Sequence, residues 1–405
     1  MSSALRLRNF RYLSTSAAAA AAGTPPSSIS ISKAKSRLRS EYDPDKALEI
    51  YSSVSKDYSS PISSRYAQEF TVRRLAKARR FSDVESLIES HKSDPKITEE
   101  PFLCTLIRSY GIAGMFDKAF TTFNQMDSLG TPRTVLSFNA LLSACNQSKL
   151  YDKVPNLFVE IPEKYVLSPD KISYGILVKS YSEAGASEKA IETLNVMEEK
   201  NVEVTAVTFT TVLDTLYKKG KSEEAEKLWS ERVKKGYELD VAAHNVRMMN
   251  AQCGDPEKVK ELIEEMINAG LKPDTISYNY LMTSYCKSGM MEEAENVYRK
   301  LEENGCKPNA ATFRTLISYL CRSGDYETGY TVFNVSVRWN KIPDFTTMKI
   351  LVEGLVKAKK MEAAKGLIRR VKKKFPHNLL RAWSKVEQEL GLASADTASA
   401  SAEEK

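Results

Sequence analysis

Apolar residues recur along this chain at helical spacing, in paired stripes that repeat about every 35 residues. The clearest copy is residues 275–309, TISYNYLMTSYCKSGMMEEAENVYRKLEENGCKPN. Ile276, Tyr278, Leu281, Met282 and Tyr285 share one face of a helix. Gly289 ends that helix, and Glu292 and Glu293 open a second where acids suit the positive end of the dipole. Ala294, Val297, Tyr298 and Leu301 form the second stripe, and Gly305 and Pro308 close the unit with a turn. The predicted element is an antiparallel helical hairpin.

One small residue marks the frame. Val84, Ala119, Val154, Ala190, Ala225, Val259, Ala294, Gly329 and Ala364 follow one another at spacings of 35, 35, 36, 35, 34, 35, 35 and 35. A fixed period of this length is the signature of a stacked array in which each unit touches its neighbours. The expected fold is all-α, an α-solenoid of about nine to ten hairpins, with units 65–99, 100–134, 135–170, 171–205, 206–240, 241–274, 275–309, 310–344 and 345–379. The extra residue of the 36-residue unit is expected near Gln147–Tyr151, and the missing one of the 34-residue unit near Cys253–Pro256, both at the turn between helices. Residues 28–64 read as a degenerate capping repeat, with Ala47 in the small-residue frame. Residues 380–392 complete a capping helix carrying Leu380, Trp383, Val386 and Leu390. Residues 393–405 lack an apolar stripe and are expected to be disordered.

Composition narrows the function. Hydrophobic residues at 42% and charged residues at 27% are ordinary for a water-soluble protein, and no apolar run is long enough to span a membrane. The six cysteines form no C-x-x-C pair, so thiolate metal ligation and cofactors are not expected. Cys145, Cys253, Cys286 and Cys321 recur near the end of a first helix and read as buried hydrophobes. Of the three histidines, His244 occupies an aromatic core position. No nucleophile–base pair, phosphate loop or small-molecule site is legible, so enzyme chemistry is not expected.

The first forty residues contain no Asp or Glu, and Arg6, Arg8 and Arg11 alternate with Leu5, Leu7, Phe10 and Tyr12. Residues 1–27 therefore read as a mitochondrial transit peptide, with processing expected near Leu13–Ser14 and a matrix destination. The formal charge of +7 then falls to about +4, so net charge alone is weak evidence for a nucleic-acid partner.

The segments SYNYLMTSYCKSGMMEEAENVYRKLEENGCKPN, SFNALLSAC, TFTTVLDTLYKKGKSEEAEKLW and TFRTLISYLCRSGDYETGYTVF resemble the pentatricopeptide repeat, over roughly residues 65–379. The uniform 35-residue units are similar to the plain subgroup of plant organellar members. That resemblance implies a right-handed superhelix with single-stranded RNA on its concave face, one base per repeat. It also implies base-reading side chains at the fifth and last positions of each unit. Asn139 with Asp170 and Asn245 with Asp274 match a uridine-preferring pair. Thr210 with Asp240 resembles a guanine reader, and Asn279 with Asn309 a pyrimidine reader. The remaining pairs (Glu69/Glu99, Cys104/Thr134, Gly175/Thr205, Arg314/Asp344 and Lys349/Leu379) depart from the pattern. The same Asn residues are equally suited to capping a helix or bonding their own backbone.

Second-position residues, among them Leu136, Val207, Ala242 and Ile276, would sandwich bases by the same likeness, or else pack as core. The thirteenth position holds Lys77, Lys218, Lys287, Arg322 and Lys357. These cations would neutralise phosphate or simply complement a helix C-terminus. The resemblance thus leads to a mitochondrial single-stranded RNA adaptor preferring U-x-G-U-pyrimidine, in transcript stability, processing or translation. The alternative is a structural subunit of the mitochondrial ribosome, gripping rRNA and ribosomal proteins. With four recognised pairs in nine units, specificity would be modest, which tilts toward the ribosome-bound role.

Overall fold

A computed structural model describes residues 29–54, 61–237, 239–252, 255–374 and 377–392, with side chains omitted at 61–64 and 377–379. The expected transit peptide, the C-terminal tail, Cys253 and the side chains of His377 and Leu379 lie outside the described residues. The chain divides into two compact units, Met1–Val204 and Thr205–Lys405. Among the described residues both are helical, apart from one isolated bridge between Ile29 and Val54.

In the first unit the hairpins are Ile31–Ser40 with Pro44–Ser52, Pro61–Lys77 with Phe81–His91, and Glu100–Ile112 with Phe116–Asn124. They continue with Val135–Gln147 and Val154–Tyr165, then Lys171–Glu183 and Ser187–Glu199. The second unit pairs Ala206–Lys218 with Ser222–Lys234, Val241–Ala251 with Pro256–Asn268, and Thr275–Lys287 with Met291–Arg299. Ala310–Arg322 with Tyr326–Arg338, Phe345–Lys357 with Met361–Lys374, and a final helix His377–Glu389 complete it. Within each unit the first helices lie side by side, and the second helices pack behind them against their own first helix and, in most repeats, the next one. From residue 100 onward every first helix begins at the first position of its frame. The preceding helix begins at Pro61, four residues ahead of its frame, where proline suits the first turn.

The frame residues sit where helices meet. Val84, Ala119, Val154, Ala190, Ala225, Val259, Ala294 and Ala364 are fully buried. At Gly329 a Cβ would already approach Leu351 Cδ1 to 3.2 Å, so a larger side chain would push the hairpin apart. Gly111 is tighter still: a Cβ there would meet the Ala144 Cα at 2.4 Å, which fixes how closely two neighbouring first helices approach.

In every 35- or 36-residue unit from residue 65 onward, the first helix is followed by a left-handed residue at the fifteenth position; in the 34-residue unit that position is the extended Asp255. Glycine fills it at Gly114, Gly185, Gly220, Gly289 and Gly324, but Arg79, Lys149 and Lys359 adopt it with φ of 58°, 60° and 59°. The extra residue of the 36-residue unit is not at the turn after Gln147. Val154 keeps its frame position, and the second helix instead runs one residue further, past Pro162, to a left-handed Val166 (φ 51°) that is 91% exposed. A helix end facing solvent absorbs the insertion at less cost than a turn whose fifteenth residue is conformationally fixed. The 34-residue unit does lose its residue between the helices, since its first helix stops at Ala251 and its second starts at Pro256.

That short unit carries a buried charge cluster. Arg247, 7% exposed, contacts Glu226 Oε2 at 2.7 Å and Glu265 Oε1 at 2.6 Å, and stacks 4.3 Å from the Trp229 ring. His244 meets the same indole edge-on at 4.8 Å, and burial lowers its pKa, so it is a packed ring as expected. Cys104, Cys145, Cys286 and Cys321 are buried, and burial pushes their thiols up to about 11–12.

Two predictions follow from strain and from buried charge. Val166→Gly should stabilise the first unit by about 1 kcal/mol, and Lys359→Gly the second by about 0.5–1 kcal/mol, in urea unfolding followed by circular dichroism. Arg247→Ala should destabilise the second unit by about 1–3 kcal/mol, chiefly by removing the buried side chain from the Trp229 face, since Glu226 and Glu265 are half exposed and stay solvated, while Arg247→Met costs roughly half as much. Tryptophan fluorescence reads this directly, since Trp229, Trp339 and Trp383 all lie in that unit.

Candidate nucleic-acid interface

A helix leaves its first backbone N–H groups without partners, and a short oxygen-bearing side chain just before it satisfies them. The last residue of each repeat occupies that place for the next first helix. Thr134, Asp170, Thr205, Asp240, Asp274, Asn309 and Asp344 all accept from backbone N–H groups of the helix that follows. Asp170, Asp274 and Asn309 form full capping boxes with Ser173, Ser277 and Thr312.

Three fifth-position amides complete these boxes across the repeat boundary. Asn139 Nδ2 donates to Asp170 Oδ1 at 3.0 Å, and Ser173 Oγ donates to Asn139 Oδ1 at 2.6 Å. Asn245 repeats the pattern with Asp274 at 3.1 Å and Ser277 at 2.7 Å, and Asn279 with Asn309 at 3.3 Å and Thr312 at 2.8 Å. The amides are only 3–7% exposed. Each is tied to the neighbouring repeat rather than to its own backbone, leaving the second N–H of its –NH2 group outside the triad. Asp170 feels the network electrostatically. Burial would raise its pKa, but the Ser173 N–H, the Asn139 amide, the Ser173 hydroxyl and the Ile172 N–H together hold it below the usual carboxylate range.

Thr210 and Asp240 are not joined in this way. The Thr210 hydroxyl donates to its own helix at Ala206 O (2.7 Å), and Asp240 faces Ala243, which has no hydroxyl to close a box. A further link escaped sequence reasoning. In the repeat whose fifth residue is Cys104, the carboxylate of Glu100 reaches the next helix, accepting from Thr134 N–H at 2.8 Å, the Thr134 hydroxyl at 2.8 Å and Ser137 N–H at 3.0 Å. The only signal was an acid at a first position followed by a hydroxyl 34 residues on.

The second-position residues stand in solvent rather than in the core. Val207 is 74% exposed, Ile276 44% and Leu136 36%, and Ala242 is exposed too. In these repeats an apolar side chain is left outside beside a polar cap. The thirteenth-position cations Lys218, Lys287, Arg322 and Lys357 are the last residues of their first helices, and all are exposed. Lys218 pairs with Asp214, and Arg322 lies over the Tyr319 ring at 4.9 Å. Both proposed roles of these cations, dipole complement and phosphate contact, fit that placement.

Known proteins fit the same frame. Models of the PPR repeat family match residues 169–218, 204–251 and 273–322, and PPR repeat models match 103–131, 136–166, 248–271 and 311–339. The chain is 63% identical to small ribosomal subunit protein mL103 (rPPR7) of Arabidopsis thaliana, over 97% of this chain and 96% of that one. The chain belongs to the pentatricopeptide repeat family. It is also 58% identical to a mitochondrial pentatricopeptide repeat-containing protein of Arabidopsis thaliana, over 98% and 95% of the two chains. Among solved structures it is similar to the pentatricopeptide repeat protein PPR10 from maize, with 19% identity, coverage of 82% and 56%, and a TM-score of 0.45. Family membership and the helical hairpins agree with the all-α solenoid read from the 35-residue period.

In this pentatricopeptide repeat chain the pairs Asn139/Asp170, Asn245/Asp274 and Asn279/Asn309 are thus hydrogen-bonded to one another, while the Thr210 hydroxyl bonds Ala206 O and Asp240 caps at Ala243 N–H. Because Asp170 ionises more readily folded than unfolded, its contribution is complete above a pH of about 4 and disappears as pH falls through its lowered value. Asp170→Asn should therefore flatten acid unfolding of the first unit below pH 4, as measured by circular dichroism between pH 2 and 6.

Proposed function

We propose that this chain is a single-stranded RNA-binding protein of the mitochondrial matrix that acts in organellar gene expression as a component of the ribosome's small subunit. It works by binding, not catalysis, with ribosomal RNA and ribosomal proteins as partners. The observation that carries this reading is the 63% identity with mL103, which extends end to end over both chains. The site geometry supports it. Three triads stiffen the layer of first helices, exposed second-position residues (Leu136, Val207, Ala242, Ile276) supply stacking surfaces, and Lys218, Lys287, Arg322 and Lys357 supply charge. A fixed ribosomal RNA partner needs little sequence discrimination, in keeping with how few repeats hold a joined reading pair.

A second reading, a free adaptor that selects transcripts, is favoured by those same pairs. Asn139/Asp170, Asn245/Asp274 and Asn279/Asn309 would read pyrimidines, with Thr210/Asp240 as the guanine position. Gradient sedimentation of organelle lysate decides between the two. Co-migration with the small ribosomal subunit through a high-salt wash is expected; a protein found only in light fractions with scattered transcripts would favour the adaptor. For the base contacts, the double change Asn245→Ala with Asp274→Ala should weaken binding to a U-rich oligonucleotide about tenfold or more, read by fluorescence anisotropy.

A further inference from the structure

A cationic surface free of Asp and Glu among its lining residues lies on the second helices at the end of the second unit. There the second helices Tyr326–Arg338 and Met361–Lys374 enclose an open groove of about 570 Å³ lined by Asn334, Val337, Arg338, Arg370, Lys373 and Lys374. No Asp or Glu occurs at 331–343 or 363–374, and Lys341 and Arg369 add two more exposed cations nearby. The earlier second helices of the same unit carry more carboxylates than cations.

Among the described residues, Arg370 and Lys374 are positioned by amides. Arg370 is held by the Asn334 side-chain oxygen, and Lys374 by Asn340 Oδ1 at 3.2 Å, so amides and not carboxylates fix both. Helix ends attract cations, yet each C-terminus carries only about half a negative charge. Two such ends offset about one of the six cations Arg338, Lys341, Arg369, Arg370, Lys373 and Lys374. An exposed cluster of this kind raises its own repulsion and gains from a polyanion.

We infer that this groove binds the phosphate backbone of double-helical RNA, as a second contact surface distinct from the single-strand path. The lining is cationic with Val337 as its one apolar side chain, and it has no aromatic ring. A single strand follows a surface that offers its successive bases a row of stacking partners, and the groove offers one apolar side chain where the first helices expose Leu136, Val207, Ala242 and Ile276. The core of a protein–protein interface is depleted of charged residues, lysine especially, and four of the six lining residues here are Arg or Lys. A stem presents its phosphates in a fixed array and is recognised by shape and backbone, which suits cations held on two rigid helices. The inference shares with the proposed function only the assignment of RNA as partner.

The test uses the full chain and the variant Arg338→Gln, Arg370→Gln, Lys373→Gln, Lys374→Gln, whose altered side chains are exposed, so its thermal unfolding should match the parent. The probes are a fluorescent RNA hairpin stem, a U-rich single strand and a polyglutamate peptide, titrated from 50 to 300 mM KCl. The four-residue variant should lose about tenfold or more in stem affinity at 150 mM salt. Its log–log salt slope should fall by about three to four, near 0.9 per phosphate contact, with single-strand binding unchanged. Arg338→Lys with Arg370→Lys should keep the slope. An unchanged stem affinity and slope would overturn the inference. So would equal losses for stem and single strand, or a loss confined to polyglutamate, which would mark an acidic protein as the partner. Stem binding that persists in Asn245→Ala with Asp274→Ala supports the groove, whatever becomes of single-strand binding. A parent protein that binds the stem but no single strand would defeat the proposed function and leave the groove standing.

Discussion

From Thr134 to Asp344, the residue that closes a repeat also caps the helix that opens the next, and the first helices are organised by that requirement. Orphan N–H groups at a helix start have to be paired, which restricts the position to short side chains with an oxygen. Asp170, Asp274 and Asn309 meet the requirement and at the same time meet the amide of the preceding repeat. Under the proposed function, stability and recognition would draw on the same atoms. Any base reader at this position would have to come from the side chains already able to cap a helix, so specificity would be chosen within a set that folding has narrowed.

The same coupling explains why the layer is uneven. Where the fifth residue is Asn and the next helix has Ser or Thr at its third position, the boundary is closed by a triad. Where the fifth residue is Cys104, Glu100 closes it instead, with its carboxylate spent on Thr134 and Ser137. Where Ala243 replaces the hydroxyl, Asp240 still caps, but Thr210 turns back to its own helix. Three chemical solutions satisfy one structural demand, and only the first includes a side-chain amide with a second N–H outside the triad.

Departures from the 35-residue length are resolved by what each segment can yield. The 36-residue unit lengthens its second helix and places Val166 in a left-handed conformation at an exposed end, keeping the interhelix turn intact. The 34-residue unit shortens its first helix, and in the same repeat Arg247 lies buried between Glu226 and Glu265 on the face of Trp229. Charge is distributed with similar economy. It is mixed along most second helices and concentrated where Asn334 and Asn340, rather than carboxylates, hold the cations.

The sequence by itself determined the period, the hairpin, the buried frame residue and the helix starts, because these rest on local spacing, and near-identical units reinforce one another. It also made Asn139, Asp170, Asn245, Asp274, Asn279 and Asn309 recognisable as a set through the family resemblance. Tertiary structure alone decided which members meet, since a hydrogen bond between residues some 30 positions apart depends on how two repeats stack. It joined three pairs, turned the Thr210 hydroxyl to its own helix, recruited Glu100, moved the inserted residue into a helix end and brought the cations of two second helices around one groove. Periodicity states which face a side chain occupies. Distance and direction across a repeat boundary exist only once the repeats have packed.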